Sequence, residues 1–452
     1  MVDAVGRDAA EVLEKGVGRR NLIHAAAALG AGSSMIGAMS AFGSPASAGA
    51  PGPVTPSPGG EILQPGQGVI RGDHYLAPEA DQVLWGYVPT VHSDAALRMR
   101  SGQTVTIDAL SHEGIMEDQG RDPVGYFGEQ GVGEDQVLAD AIDIAAHYDR
   151  TPRDFDADGP HVVVGPVFVE GAEPGDVLKI ETLEATPRVP YGVVSSRHGK
   201  GALGITADGA APDGIDLGEV MPPVETDGRQ SGDPTAYGNV STFTAVRDGK
   251  GVMGMGGAEV SFPLRPFMGM MGVAYADDAG LTSPNANSIP PTLGGGNIDI
   301  RLLGEGSTFY LPVFTEGALF YVGDPHMAMG DGEVALTAME GSLRGTFRLT
   351  VAKPGSGDAP SVAHSYPFAE TADSWIPIGL SDPDGAQDGQ GSDLNIAMRR
   401  AVVNALDFLE KDRGMDRALA YAYLSAAADF VVSQVVDRTV GVHGQIYKSH
   451  FA

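Results

Sequence analysis

The chain has 452 residues, including 64 glycines and 31 prolines, no cysteine, and a formal charge of −30 from 59 acidic and 29 basic side chains. Without cysteine there is no disulfide framework, no thiolate metal site and no thiol nucleophile. So acidic a surface repels nucleic acid and anionic membranes, and so much glycine and proline favours a β-rich, turn-rich body long enough for two or more packed domains.

Residues 1–48 read as a twin-arginine export leader. Arg19-Arg20 precede Asn21-Leu22-Ile23 and a mildly apolar stretch to about Phe42, and Ala46-Ser47-Ala48 offers small residues for cleavage. The apolar part is short and interrupted, which does not suit stable membrane insertion; a periplasmic or extracellular destination is expected. The leader's four acids are matched by four bases, so the whole negative charge stays with the rest of the chain. Residues 49–68 form a Pro/Gly linker, and the catalytic body is expected over 69–452, in parts of about 69–260 and 261–452.

Short strands are predicted at Gln82–Val88 and Gln103–Asp108, and Ser111-His112-Glu113-Gly114 follow the second, so a carboxylate, an imidazole and a further carboxylate stand at a strand end. Apolar spacing predicts a helix over Glu134–His147. Asp154, Asp156, Asp158 and Gly159 match the front half of a loop that would take Ca²⁺, but the twelfth position is Gly165 rather than glutamate, which favours an acidic turn. Val162–Val169 and Val177–Leu183 read as paired strands about a Pro174-Gly175-Asp176 turn. Arg197-His198-Gly199-Lys200-Gly201 ends a strand in a loop with an imidazole and two cations. Gly199–Gly204 and Gly249–Gly254 fit G-x-G-x-x-G without a strand-to-helix setting, so neither reads as a nucleotide fingerprint. Residues 204–250 read as long acidic loops or a lid, and Val260–Pro266 and Met268–Tyr275 return to strand character.

The densest chemistry lies between Gly294 and Glu340. Gly294, Gly295 and Gly296 precede Asn297 and Asp299. Two apolar runs, Ser307–Thr315 and Ala318–Val322, flank Glu316-Gly317 as a hairpin would, and Asp324, His326, Asp331 and Glu333 follow on what reads as a glycine-rich loop. Carboxylates and imidazole at this density suit a Zn²⁺-like ion or an acid/base pair. Met327 and Met329 flank the loop and would shape a small apolar pocket. Beyond it, Arg344–Val351 is a strand. Helices capped by Ser392 or Asp393 and by Asp416 meet at Arg413-Gly414, and Val440–Tyr447 is a last strand. The expected fold is mainly β with α+β character: sandwich-like sheets with a C-terminal helical hairpin.

Six segments together resemble the signature blocks of the acetamidase/formamidase family: GPVFVEGAEPGDVLKIETLEATP (165–187), VSSRHGKGAL (194–203), PLRPFMGMMGVA (263–274), GGGNIDIRLLGEGSTFYLPV (294–313), GALFYVGDPHMAMGDGEV (317–334) and SAAADFVVSQVV (425–436). The pattern departs at Met329, where a polar residue is expected. The resemblance implies a compact two-part body that often forms homodimers and hydrolyses a short carboxamide such as formamide or acetamide.

No cysteine or G-x-S-x-G elbow is present to carry a covalent route, so a metal-activated water fits the residue inventory better. Residue type and block membership offer Asp108, His198, Asp324 and His326 as metal ligands, with Zn²⁺ the expected ion. Glu333 is the preferred general base and Glu113 the second. Lys200 or the backbone amides near Gly295 and Gly296 would stabilise the oxyanion, with Asn297, Met327 and Met329 completing the amide pocket. The rival reading is a secreted, metal-dependent β protein that holds a sugar or small solute without chemistry.

Overall fold

The structure, a computed structural model, describes residues 61–197, 200–204, 239–255, 257–277 and 286–451. The export leader, residues 49–60 of the linker, His198 and residues 205–238 of the acidic loop stretch lie outside the described residues.

Strands β1 (His74–Leu76), β2 (Leu84–Trp85), β3 (Leu97–Arg100) and β4 (Thr104–Ala109) precede two short helices, α1 (Pro123–Gly128) and α2 (Ala139–His147). Next come β5 (Val162–Glu170), β6 (Val177–Pro187), β7 (Tyr191–Arg197), β8 (Asn239–Arg247), β9 (Lys250–Met255), β10 (Ala258–Pro263) and β11 (Phe267–Val273). The central stretch supplies β12 (Gly295–Asn297), β13 (Thr308–Pro312) and β14 (Phe320–Ala328), then β15 (Met339–Glu340), β16 (Leu343–Ala352), β17 (Phe368–Glu370) and β18 (Ser374–Leu380). Helices α3 (Leu394–Arg413) and α4 (Arg417–Ala427) lead to β19 (Asp429–Gln434) and β20 (Gly441–Tyr447).

Two large sheets result, as expected of a mainly β chain with C-terminal helices. One runs β1-β4-β16-β6-β13-β17-β18-β20-β19; the other runs β10-β9-β8-β7-β15-β14-β11-β12, with β5 on β14 and β2 and β3 on β5. Both draw strands from either side of residue 260, so a boundary there would cut both sheets. Phe320 of β14 meets Phe347 of β16 edge to face at 5.7 Å between centroids, inside one apolar core that the two sheets share.

Two expected hairpins are corrected. β13 and β14 do not pair: β13 lies between β6 and β17, whereas β14 lies between β11 and β15 and also carries β5. Gly317, Ala318 and Leu319 all take positive φ, and this left-handed run turns the chain out of one sheet and into the other. In the same way β5 and β6 do not pair, although the turn between them forms, with Asp176 accepting from the Glu173 amide. The loop expected to carry Asp324 and His326 is in fact β14, buried at every position.

The helical hairpin forms as read. The Asp393 carboxylate caps α3 at the Asn395 amide, Gly414 ends it with φ 66°, and Asp416 caps α4 at the Ala418 and Leu419 amides. Gly379 lets α3 lie directly on β18, since a Cβ there would overlap the backbone of Ala397 and Ala401.

A buried ionic knot ties the start of the body to the first sheet. Arg344 forks onto Asp108 at 2.6 and 2.8 Å, Tyr75 Oη donates to the same carboxylate at 2.7 Å, and Arg188 pairs with Asp140 at 2.7 Å while its Nε donates to the Leu63 carbonyl. Arg344→Met would strand the Asp108 charge, with Arg188 Nη2 left as its only cation, 3.7 Å away. The expected loss is about 3–5 kcal/mol of unfolding free energy, read from the denaturant midpoint; an unchanged midpoint would remove the knot as a determinant of stability.

Candidate active site

The site grows from a defect in the second sheet. β11 and β14 pair at Phe267 with His326, Met268 with Pro325 and Met270 with Gly323, and the pair Gly269–Asp324 drops out of the ladder where Asp324 takes φ 51°. Gly269 is required there: a Cβ would stand 2.5 Å from Asp299 Oδ1, 2.6 Å from His326 Cε1 and 2.7 Å from Asp324 Oδ2. Its carbonyl accepts from the amides of Ile298 and Asp299, which seats Asp299 beside His326. Asp299 (φ 47°) and Glu333 (φ 44°) share the left-handed backbone of Asp324, so three acids of the cluster occupy a sparsely populated conformation.

His326 is the hub. Its Nε2 lies 3.0 Å from Asp324 Oδ2, 3.0 Å from Glu340 Oε1 and 3.8 Å from Glu333 Oε1, and its Nδ1 lies 3.7 Å from Asp299 Oδ1. Asp324 Oδ1 faces two further imidazoles, His161 at 3.6 Å and His112 at 4.0 Å, whose rings meet edge to face. Ser288 Oγ sits 2.9 Å from His161 Nδ1 and fixes that ring. Hydrogen bonds between Gly332 and the Ser433–Val435 backbone bring the Glu333 loop to the segment that carries Asp437. Together His112, His161, Asp324, Glu333, Glu340 and Asp437 line a cavity of about 460 Å³, with Asn297, Lys200 and Arg438 on its wall.

So many buried acids cannot all stay charged unaided. Burial pushes the carboxyls of Asp299 and Glu333 well above the usual range, and each is raised further by acidic neighbours, Glu333 and Asp437 around Asp299, and Asp437 and Asp324 around Glu333. Burial likewise lifts Glu340 to about 7 and Asp437 to about 8. Asp324 goes the other way: burial opposes its charge, but the His326 and His161 imidazoles hold it below the ordinary carboxylate range. For His326, burial is outweighed by Asp324 and Glu340, which raise its pKa well above normal.

The donor set fits a divalent cation. His112, Asp324 and Glu340 can place one ligand atom each within 4.8 Å of one another, and so can Asp299, His326 and Glu333. Both Asp299 oxygens, Glu340 Oε2 and both His326 nitrogens are buried without a hydrogen bond of good geometry. Each of the two groups brings buried carboxylate oxygen and imidazole nitrogen within reach of one another, the donor types a zinc-type ion takes.

Of the residues singled out in the sequence, Asp324, His326, Glu333, Asn297 and Lys200 come together here. His198 lies outside the described residues. Asp108 is corrected, since Arg344 occupies both its oxygens. Glu113, the second base candidate, does not line the cavity: its oxygens accept from Ser195 Oγ at 2.7 Å and Gln119 Nε2 at 2.5 Å, and Oε1 lies 3.7 Å from His112 Nε2. Gly295 and Gly296 do not line the cavity, and the Gly295 amide is spent on the Thr292 carbonyl. Met327 packs in the core over Gly341, and Met329 lines a separate cavity of about 500 Å³ behind the Glu333 loop. The calcium-like run is an acidic turn, with Asp158 accepting from Tyr87 Oη and the Asp154 amide and lying 3.5 Å from Arg153.

Asp299 was legible only as a neighbour of the glycine cluster, and His112 only as part of a strand-end triplet. His161, Gly269, Glu340 and Asp437 carried no local signal, since each stands alone in an apolar or turn context. Only pairing across the sheets gathers them.

Residues 266–443 match the model of the Acetamidase/Formamidase family. An acetamidase of Mycolicibacterium smegmatis is 27% identical over 291 residues, which span 57% of this chain and 71% of that protein. A formamidase of Methylophilus methylotrophus is 25% identical over 297 residues, spanning 57% and 69%. The fold is shared with the acetamidase structures from Yersinia enterocolitica (TM-score 0.59, 22% identity, 84% of this chain and 93% of that one) and Bacillus halodurans (TM-score 0.57, 22% identity, 83% and 98%). The span matched to the family, residues 266–443, contains Gly269, Asp299, Asp324, His326, Glu333, Glu340 and Asp437.

Proposed function

We propose that the protein hydrolyses carboxamides of the formamide and acetamide type, yielding a carboxylate and ammonia. The observation that carries this reading is the convergence of buried acids and imidazoles on one cavity in a chain similar to an acetamidase and a formamidase. A divalent ion, Zn²⁺ by the mixed donor set, would be held by His112, Asp324 and Glu340 with His326 beside them, and when bound would polarise the amide carbonyl and acidify water.

The chain's own groups then divide the work. Glu333, which burial and its acidic neighbours push toward the protonated form, acts once it has given up that proton: the carboxylate takes a proton from the attacking water and returns it to nitrogen as the C–N bond breaks. Asn297 donates its Nδ2 to the Ile289 carbonyl, which leaves its buried Oδ1 to accept from the substrate amide N–H. Lys200, on the cavity wall, faces the developing oxyanion.

Ammonia release from formamide and acetamide, measured beside metal content, tests this division. His326→Ala should lose both metal and turnover. Gly269→Ala should do the same, because its methyl enters the donor set. Glu333→Gln should keep the metal and lose roughly 10²- to 10⁴-fold in kcat, the range for removing a general base. Full activity in all three, or in chelated, metal-free protein, would contradict the mechanism.

Export belongs to the same proposal and rests on Arg19-Arg20 and the small-residue site at Ala46-Ser47-Ala48. Lysines at both arginines should leave the precursor in the cytoplasm on fractionation; normal export of that variant would contradict the assignment. Among the described residues no helix is long and apolar enough to cross a membrane. The homodimer that the resemblance implies would show as a doubled mass in light scattering.

A further inference from the structure

The described arginines drawn from water have partners: Arg121 and Arg150 donate to backbone carbonyls, and four others pair with carboxylates. Arg344 pairs with Asp108 at 2.6 Å, Arg188 with Asp140 at 2.7 Å, Arg153 with Glu117 at 3.0 Å and Arg301 with Asp331 at 2.6 Å. Arg438 breaks the pattern. It lines the active-site cavity half-buried, and it forms no hydrogen bond or ion pair with any described residue.

Its position is built rather than incidental. The fully buried Gln434 clamps the turn: its Oε1 accepts from the amides of Val436 (2.9 Å) and Asp437 (3.2 Å), and its Nε2 donates to the Thr439 carbonyl (2.7 Å). Within that clamp Arg438 takes φ 64°, a conformation an arginine adopts only when its surroundings impose it. A strained, fixed turn thus presents an unmatched guanidinium to the cavity.

The cavity is also too large for the smallest amides. Formamide has three heavy atoms and would fill about 90 Å³ at a water-like share of about 30 Å³ each, against about 460 Å³ available. Met116, Phe155, Ile289 and Val435 give part of the remaining wall an apolar character suited to a short carbon chain.

We propose that the preferred substrates are primary amides bearing a carboxylate a few carbons from the amide group, and that Arg438 binds that carboxylate and sets specificity. The inference rests on the amide-hydrolysis reading for its chemistry and on Arg438 for its selectivity. A guanidinium meets a carboxylate through two parallel N–H donors. A neutral amide of equal length leaves those donors unmatched inside the cavity, and that difference discriminates between the two.

The experiment compares kcat/KM for ammonia release from the monoamides of short dicarboxylic acids, succinamate among them, with that from methyl-ended amides of matching length. In parallel, succinate binding is titrated by calorimetry against the wild type, Arg438→Met and Arg438→Lys. The wild type should prefer the acidic amides by about 10- to 100-fold, Arg438→Met should abolish the preference and weaken succinate binding, and Arg438→Lys should retain part of both. Turnover of neutral amides with no preference for acidic ones would overturn the inference and leave amide hydrolysis standing. Arg438-dependent succinate binding without ammonia release from any amide would keep the anion site and reject the hydrolysis reading. Succinate binding equal in the wild type and Arg438→Met would overturn the inference whatever the turnover.

Discussion

The second sheet is organised around acidic side chains gathered where burial makes their charge costly. Asp299, Asp324, Glu333, Glu340 and Asp437 are all buried, and the imidazole of His326 lies within 4 Å of four of them. A hydrophobic core does not accept such a cluster without neutralisation by protons, by His326 or by a metal cation. Several local features follow from that demand. The ladder opens at Asp324, Gly269 gives up its side chain, and three acids adopt left-handed backbone so that their oxygens converge. Strain of this kind persists only where the surrounding strands over-determine it, and β14, flanked by β11, β5 and β15, is held in that way.

Around this centre the two sheets act as a frame that delivers groups from distant parts of the chain. His112 follows β4 and is steadied by Glu113, which is itself fixed by Ser195 and Gln119. His161 precedes β5 and is held by Ser288. Asp437 and Arg438 arrive on the turn between β19 and β20, so the last two strands after the helical hairpin complete the cavity wall. The Arg344–Asp108 knot lies apart from the site and serves the frame.

What could be read from the sequence follows from how local each signal is. The caps at Asp393 and Asp416 and the stop at Gly414 act within one helical turn, so α3 and α4 are legible. Turn chemistry at Pro174-Gly175-Asp176 and Glu316-Gly317 shows that the chain reverses, but not which sheet it enters next. The fully buried β11 and β14 give no alternation to decide the matter. In the site, Asp324, His326 and Glu333 are legible because they crowd one segment. Asp108 is misleading because a carboxylate at a strand end looks the same whether a metal or an arginine awaits it, and Arg344 stands 236 positions away. His161, Glu340 and Asp437 acquire meaning only through β pairing.

If a cation is what reconciles the buried acids with the core, the folded protein should hold it far more tightly than the unfolded chain does. The most direct measurement is the thermal unfolding midpoint of fully chelated protein, followed as Zn²⁺ is added back at fixed pH. At a free ion concentration about 100-fold above Kd the expected stabilisation is about 2.7 kcal/mol, seen as a saturable rise in Tm that His326→Ala abolishes. A midpoint indifferent to chelation and to added divalent ions would contradict the account and leave protons and His326 alone to balance the cluster.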